Sequence, residues 1–202
     1  MSVWRGAKPL ILASQSAARR MLLKNAGLDF LVVAADLDER AIEHRSGLKE
    51  PAAIATLLAR AKAGAVAAGH PGHLVVGADQ TLALEEAVLS KPAGRAEAAE
   101  QLRRLSGKSH ALHSVAAVVR DGEVIFETAS VAWLTMRALS ASDIAAYLDA
   151  AGDKVTSSVG AYQLEGLGIH LFERIDGDHF TILGLPLLPL LEFLRGEGLL
   201  AF

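Results

Sequence analysis

The sequence predicts an α/β protein built on a mixed sheet, and three observations carry that prediction. Helix-patterned and strand-patterned segments are interspersed along the chain. Asp121-Gly122 sits between two long strand-like runs, Ala111 to Arg120 and Glu123 to Met136, which is the pattern of a tight hairpin and makes part of the sheet antiparallel. Leu74-Val-Val-Gly-Ala78 is a compact apolar run of the kind found in strands buried on both faces. There is no linker composition and no internal repeat of useful period, so residues 1–202 are expected to form a single domain.

In order along the chain, Leu10 to Ala13 reads as a strand and Ala17 to Leu23 as the start of a helix, with Ser14 and Ser16 before it as cap residues and Gly27 ending it. Phe30 to Ala34 reads as a second strand and Asp36 to Arg40 as an acidic loop. Pro51, favoured in a first turn, opens an alanine-rich helix to about Ala68. The strand ending at Ala78 is expected to place Asp79-Gln80 at its C-terminal end, with a second short strand over Thr81 to Leu84. Arg95 to Leu105 reads as a helix stopped by Ser106-Gly107, and Ser142 to Leu148 as one capped by Ser140 or Ser142. A Gly-rich stretch from Gly152 to Gly168 precedes strand-like Ile169 to Ile175 and Phe180 to Leu183, with Asp176-Gly-Asp178 as a turn, and a last helix follows Pro186.

Composition narrows the class. The chain has 20 Lys+Arg against 23 Asp+Glu, a formal net charge of -3, which excludes a protein that grips nucleic acid by bulk positive charge. Hydrophobic residues at 51% exclude an acidic disordered chain. The absence of cysteine excludes disulfides, thiolate nucleophiles and Cys-based zinc sites, and is compatible with a reducing compartment. The apolar run after Arg5 and Lys8 is too short for a signal-peptide core. The greasiest stretch, Ile182 to Leu191, is broken by Pro186 and Pro189 and falls short of the roughly 20 residues that cross a bilayer. A cytoplasmic protein with no membrane or nucleic-acid partner is expected.

Several motif-like patterns fail on their own chemistry. Gly107-Lys-Ser109 has Leu102 where a phosphate-binding loop needs glycine, and it follows a helix instead of opening one. Gly166-Leu-Gly168 lacks a third glycine. His110 and His113 would point to opposite faces of a strand, which argues against a shared metal.

Four features carry chemistry, each beside a plainer reading. Ser14-Gln-Ser16 running into Arg19-Arg20 makes a phosphate cradle from hydroxyls, a guanidinium and helix N-terminal amides, or simply a capped helix. Asp79 beyond a buried strand can bind Mg2+ or take a proton from water, or serve as a turn residue. Glu39, with Asp36 and Asp38, offers hard oxygen ligands, or an acidic surface loop. Lys62 in an apolar helix, and Lys91 before Pro92, offer cations, though a lysine in such a helix can snorkel to the surface.

Seven segments in order resemble the Maf family of nucleoside triphosphate pyrophosphatases, historically linked to septum formation: Leu10-Ile-Leu-Ala-Ser-Gln-Ser-Ala-Ala-Arg-Arg-Met-Leu-Leu23, Gly77-Ala-Asp-Gln80, Lys91-Pro92, Leu105-Ser-Gly-Lys-Ser-His110, Gly160-Ala-Tyr162, Glu165-Gly-Leu-Gly168 and Gly184-Leu-Pro-Leu187. The resemblance spans nearly the whole chain. It implies a mixed, strongly twisted sheet with flanking helices and two lobes around a deep cleft, similar to inosine-triphosphate pyrophosphatases. It also implies hydrolysis of a nucleoside triphosphate to monophosphate and pyrophosphate, a divalent cation (Mg2+, Mn2+ or Co2+), house-cleaning of non-canonical nucleotides as a role, and a homodimer. Matched residue by residue, Asp79 is the proton acceptor. Ser14, Ser16, Arg19, Lys62 and Lys91 fall at substrate-binding positions, Glu39 and Asp79 at metal positions, and Ala18, Gln80 and Glu165 at base-specificity positions.

The chain departs from the pattern where the base is read. Ala17 replaces the usual proline, and Ala18 is neither the arginine of the pyrimidine-preferring branch nor the tryptophan of the 7-methyl-GTP branch. Gln80 and Glu165 resemble the latter branch. The base is therefore expected to be a modified or purine type, with UTP and dTTP still open. Two readings from other classes also fit the sequence: a nucleotide-sensing regulator of cell division with little catalysis, and a phosphatase of monophosphates or sugar phosphates.

Overall fold

The computed structural model describes residues 3–202. Seven strands form one mixed sheet in the order β2-β1-β3-β5-β6-β7, with β4 also paired to β3. In chain order these are β1 (Leu10–Leu12), β2 (Phe30–Val32), β3 (Val75–Leu84), β4 (Ala87–Leu89), β5 (Ser109–Arg120), β6 (Glu123–Met136) and β7 (Phe172–Asp176). The helices are α1 (Ala17–Asn25), α2 (Glu39–Ser46), α3 (Pro51–Ala67), α4 (Arg95–Leu105), α5 (Ala141–Ala151), α6 (His179–Ile182) and α7 (Leu187–Gly196), with three short 3-10 turns between α5 and β7. Among the described residues no helix is long and apolar enough to cross a membrane.

β3 organises the molecule. Along one edge it pairs antiparallel with β5 from Val75 to Ala83. Along the other it pairs parallel with β1 only at Val75 and Val76, and antiparallel with β4 only at Leu82 to Leu84. Between those two partners the edge of β3 is open over residues 77–81. A sheet edge left without a neighbour must find other hydrogen-bond partners or admit a ligand.

The two faces of β3 bury different things. Toward α3, Val75 joins Ala63, Val66 and Ala67 in one apolar cluster. Gly77 lets the helix approach so closely that a Cβ there would lie 2.1 Å from the Ala59 carbonyl oxygen. On the opposite face the strand feeds two separate cores. Val76 and Ala78 pack with α1 and α7 residues such as Leu22, Leu23, Leu190 and Leu194. Leu82 and Leu84 pack with α4 and α5 residues such as Leu102, Leu105, Ile144 and Leu148. Asp79, Gln80 and Thr81 lie between those apolar ends.

The structure corrects four expectations. Leu74 to Ala78 and Thr81 to Leu84 are not two strands but one, so Asp79 lies within β3 and not at its end; what ends beside it is β1. The acidic segment is a loop only to Asp38, whose carboxylate accepts the Ala41 N–H and starts α2, so Glu39 opens a helix. Phe180 to Leu183 is not a strand: Asp178 accepts the N–H groups of Phe180 and Thr181 and caps α6. Ile169 to Leu171 is a 3-10 turn, and the strand begins only at Phe172. β4 was not anticipated at all. The Asp121-Gly122 hairpin, the Pro51 helix and the Ser140 cap, which forms a capping box with Asp143, are as the sequence predicts.

Candidate active site

A cleft of about 760 Å3 opens at the unpaired edge of β3. It is lined by residues from the turn before α1, from α2 and α3, from the middle of β3, from the segment after β4, and from the 157–165 stretch. Ten of the residues singled out in the sequence line it, Ser14, Ser16, Ala18, Arg19, Glu39, Lys62, Asp79, Gln80, Lys91 and Glu165, whereas Arg20 does not. Asp36 and Asp38 do not, and Asp38 is engaged as the cap of α2.

Arg19 stands in for the missing strand. Its Nη1 donates to the Ala78 carbonyl at 2.8 Å, on β3 just past the end of β1, and its Nε donates to the Gly184 carbonyl at 2.7 Å. Nη1 also reaches Ser14 Oγ at 3.3 Å, and the same oxygen accepts the Ser16 N–H at 3.2 Å. Ser16 caps α1 by accepting the Arg19 N–H at 3.3 Å. Both hydroxyls are thus acceptors within the protein, which leaves their own protons, and the Nη2 donors of Arg19, for an anion in the cleft. Burial lowers the Arg19 pKa, opposed by the charges of Asp79 and Glu39.

The charged centre is built on α3. Lys62 reaches across to β3, and its Nζ donates to Asp79 Oδ1 at 2.6 Å and sits 2.8 Å from Glu39 Oε2. Lys62 and Asp79 are both buried, whereas the Glu39 side chain is half exposed. Burial raises the Asp79 pKa above the ordinary carboxylate value and outweighs the opposing charges of Lys62 and Arg19. A carboxylate so placed holds a proton more tightly than an exposed one, which makes it the better base.

Two carboxylates converging on one cation are also the donor set that Mg2+ uses when phosphates and water supply its remaining ligands. Among the described residues no group of three or more His, Cys, Asp or Glu is placed to hold a metal ion unaided. Asp79 and Glu39 therefore fit a cation shared with a phosphate better than a closed protein cage. Charge points the same way. Arg19, Arg40, Lys62 and Lys91 line the cleft together with Glu39, Glu43, Asp79 and Glu165, so its lining is electrically balanced.

Gln80 faces the other way from Asp79. Its Nε2 lies 2.8 Å from Ser114 Oγ and 3.0 Å from each of the Thr181 and Ile182 carbonyls. Carbonyls only accept, so the amide is locked with its nitrogen toward the protein and Oε1 is the end left to act as an acceptor. Ser114 in turn donates to the Thr181 carbonyl at 2.7 Å.

The histidine pair divides as its spacing predicts. His110 is fully buried against Tyr162, while His113 lies on the strand's other face, toward α3. Sequence reasoning missed Arg40 and Glu43, because α2 itself was unrecognised, and it missed Gln101 beneath the cleft wall. It also gave no role to Gly184, whose carbonyl holds Arg19, although the Gly184-Leu-Pro-Leu187 segment was a visible signal.

Comparison with known proteins places relatives along nearly the whole chain. A family model described as Maf-like protein matches residues 9–197. A nucleoside triphosphate pyrophosphatase of Bradyrhizobium diazoefficiens is 65% identical over 201 residues, covering 100% of each chain. One from Rhodopseudomonas palustris is 60% identical over 202 residues, again covering 100% of each. A 7-methyl-GTP pyrophosphatase of Rhizobium johnstonii is 54% identical over 192 residues, covering 94% of this chain and 96% of its own.

Proposed function

The chain belongs to the Maf family, and on that footing we propose that it is a nucleoside triphosphate pyrophosphatase, cleaving its substrate to a monophosphate and pyrophosphate. The observation that carries this reading is the buried Asp79, raised in pKa, beside Lys62 and Arg19 in an open cleft. Asp79 accepts a proton from a water molecule as that water attacks the α-phosphorus, and the bond to the pyrophosphate oxygen breaks. Arg19, Lys62 and Lys91 hold the phosphates, with the hydroxyls of Ser14 and Ser16 donating to their oxygens.

A triphosphate brings about four negative charges, and the balanced lining of the cleft does not offset them alone. A divalent cation (Mg2+, Mn2+ or Co2+) held by Asp79 and Glu39 would supply that charge. A regulator that only senses nucleotide has no use for a buried base next to two cations, so that alternative finds no support in this arrangement.

The base is read at Ala18, Gln80 and Glu165. Two acceptors, the locked Gln80 Oε1 and the Glu165 carboxylate, suit a base edge rich in N–H donors, as in guanine-type purines, better than the carbonyl-flanked edge of uracil or thymine. Ala18 neither stacks nor donates, which leaves that side of the base pocket wide. The reading includes one cytoplasmic domain that pairs as a homodimer, to be checked by sedimentation.

A substrate panel tests the proposal: 7-methyl-GTP, GTP, ITP, UTP and dTTP with Mg2+ or Mn2+, with pyrophosphate and orthophosphate measured separately. Pyrophosphate release, fastest with a purine or modified purine, is expected. No turnover on any member, or orthophosphate as the first product, contradicts it.

A further inference from the structure

One buried side chain ties together the two cleft segments that carry Lys91 and Glu165. Gln101, on α4, is 4% exposed. Its Nε2 donates to the Ser90 carbonyl at 2.8 Å, and its Oε1 accepts the Gly160 N–H at 3.1 Å. Ser90 is followed directly by Lys91, and Gly160 opens the turn that runs on to Tyr162 and Glu165. Ser90, Lys91, Tyr162 and Glu165 all line the cleft.

The position of this glutamine is costly. α4 buries Ala98, Leu102 and Leu105 along with it, so an apolar residue would suit the site unless both ends of the amide are needed. The turn that it holds is also unfavourable. Gly160 and Ala161 have consecutive positive φ angles of 76° and 61°, and the second is not a glycine. A Cβ on Gly160 would lie 2.6 Å from the Tyr162 ring and 2.7 Å from Leu82. Such a turn persists only when its surroundings fix it. Gln101 does so at the Gly160 N–H, and His110 does so at the Tyr162 hydroxyl, 2.7 Å from its Nε2.

We infer that Gln101 is a positioning residue: a strut that sets the spacing between Lys91 and the cleft wall bearing Glu165, and so keeps the phosphate end and the base end of the substrate in register. This rests on the reading of Lys91 as a phosphate-holding residue. Gln101 touches no substrate and acts through the segments that it joins.

Two variants separate this role from a merely structural one. Gln101→Met keeps length and volume but removes both hydrogen bonds. Gln101→Glu keeps an acceptor for Gly160 and loses the donor to Ser90. KM and kcat are measured on the best triphosphate of the panel, in the wild-type and Lys91→Ala backgrounds, with thermal melts alongside. Both variants are expected to raise KM about tenfold with kcat changed less than about threefold, and to add less than about threefold to KM once Lys91 is gone. A lowered melting temperature with unchanged KM, or the same KM factor in both backgrounds, overturns the strut. If Gln101→Met does not fold, Gln101→Glu carries the same test. Lys91→Ala with unchanged KM overturns the reading of Lys91 and the strut with it. A raised KM for Lys91→Ala beside an unchanged KM for the Gln101 variants removes the strut alone.

Discussion

On one face of β3, Asp79 looks toward α3 and meets an ammonium at 2.6 Å. On the other face, its neighbour Gln80 meets only neutral acceptors, at 2.8, 3.0 and 3.0 Å. The difference follows from what covers each face. A long helix lies over the first and can deliver a lysine from its interior at the level where the sheet edge opens. Over the second, two apolar cores converge with a polar seam between them. An unpaired charge there would have no counter-ion, so the seam is built from an amide, a hydroxyl and backbone carbonyls. His110, also on this second face, shows the same constraint: burial pushes its pKa down to about 4. A single strand thus separates a face that gathers charge from one where neutral hydrogen bonds fix shape.

The sharpest way to break this contrast is Asp79→Asn. It keeps the shape and removes the base, so kcat is expected to fall about 1000-fold while KM moves only a few-fold. Full activity in this variant would mean that the α3 face is not where water is activated. The raised pKa adds a pH signature: kcat/KM should fall on the acid side at a pH above the ordinary aspartate value, because Asp79 must be unprotonated to act.

The neutral face answers to pH in a different quantity. His110 is neutral when folded down to about pH 4, while in the unfolded chain it takes a proton near pH 6.5. Its folded pKa is lowered, so the unfolded state binds the extra proton between those values. Stability is fully present above pH 6.5 and is lost as the pH falls toward 4, by about 3 kcal/mol in all. Denaturant titrations across that range should show the slope, and His110→Gln should flatten it. An unchanged slope in the variant would assign it elsewhere.

A smaller effect is expected from Gln80→Glu, which puts a carboxylate against the two carbonyls that the amide now serves. It should cost about 2 kcal/mol of stability and blur discrimination between bases, and chemical denaturation with the substrate panel would check both. The least effect belongs to an ion pair on the outer surface of the same helix. Arg60 binds Glu127 through two hydrogen bonds, 2.5 and 2.9 Å, with about half of the arginine side chain exposed. Arg60→Gln should change stability by less than about 1 kcal/mol and leave kcat/KM alone. A large loss would show that exposure does not separate the two ion pairs of α3.

Much of this was legible in the sequence, and the failures have physical causes. The Pro51 helix and the Asp121-Gly122 hairpin are local, since turn chemistry and apolar pattern fix them without reference to distant parts. β3 reads as two strands because Asp79 and Gln80 interrupt its apolar run, and only the assembled cleft explains why Asp79, Gln80 and Thr81 follow one another inside a buried strand. α2 has no buried residue, so it has no apolar stripe to detect. Phe180 to Leu183 carries strand-forming side chains, but the Asp178 cap overrides them. The ten expected residues that line the cleft were picked out by resemblance and spacing. Their arrangement was not, because the contact between Lys62 and Asp79 and the carbonyls that hold Arg19 depend on which elements meet. Gln101 lay further out of reach, since a glutamine in an amphipathic helix looks like solvent-facing filler until both of its partners are placed.

The central claim is that the α3 face of β3 directs water to the α-phosphorus. Hydrolysis in water enriched in oxygen-18, with mass analysis of both products, tests it most directly. The label is expected in the nucleoside monophosphate, with none in the pyrophosphate. Label in the pyrophosphate instead would place the attack on the β-phosphorus and contradict the role given to Asp79 and its two cations.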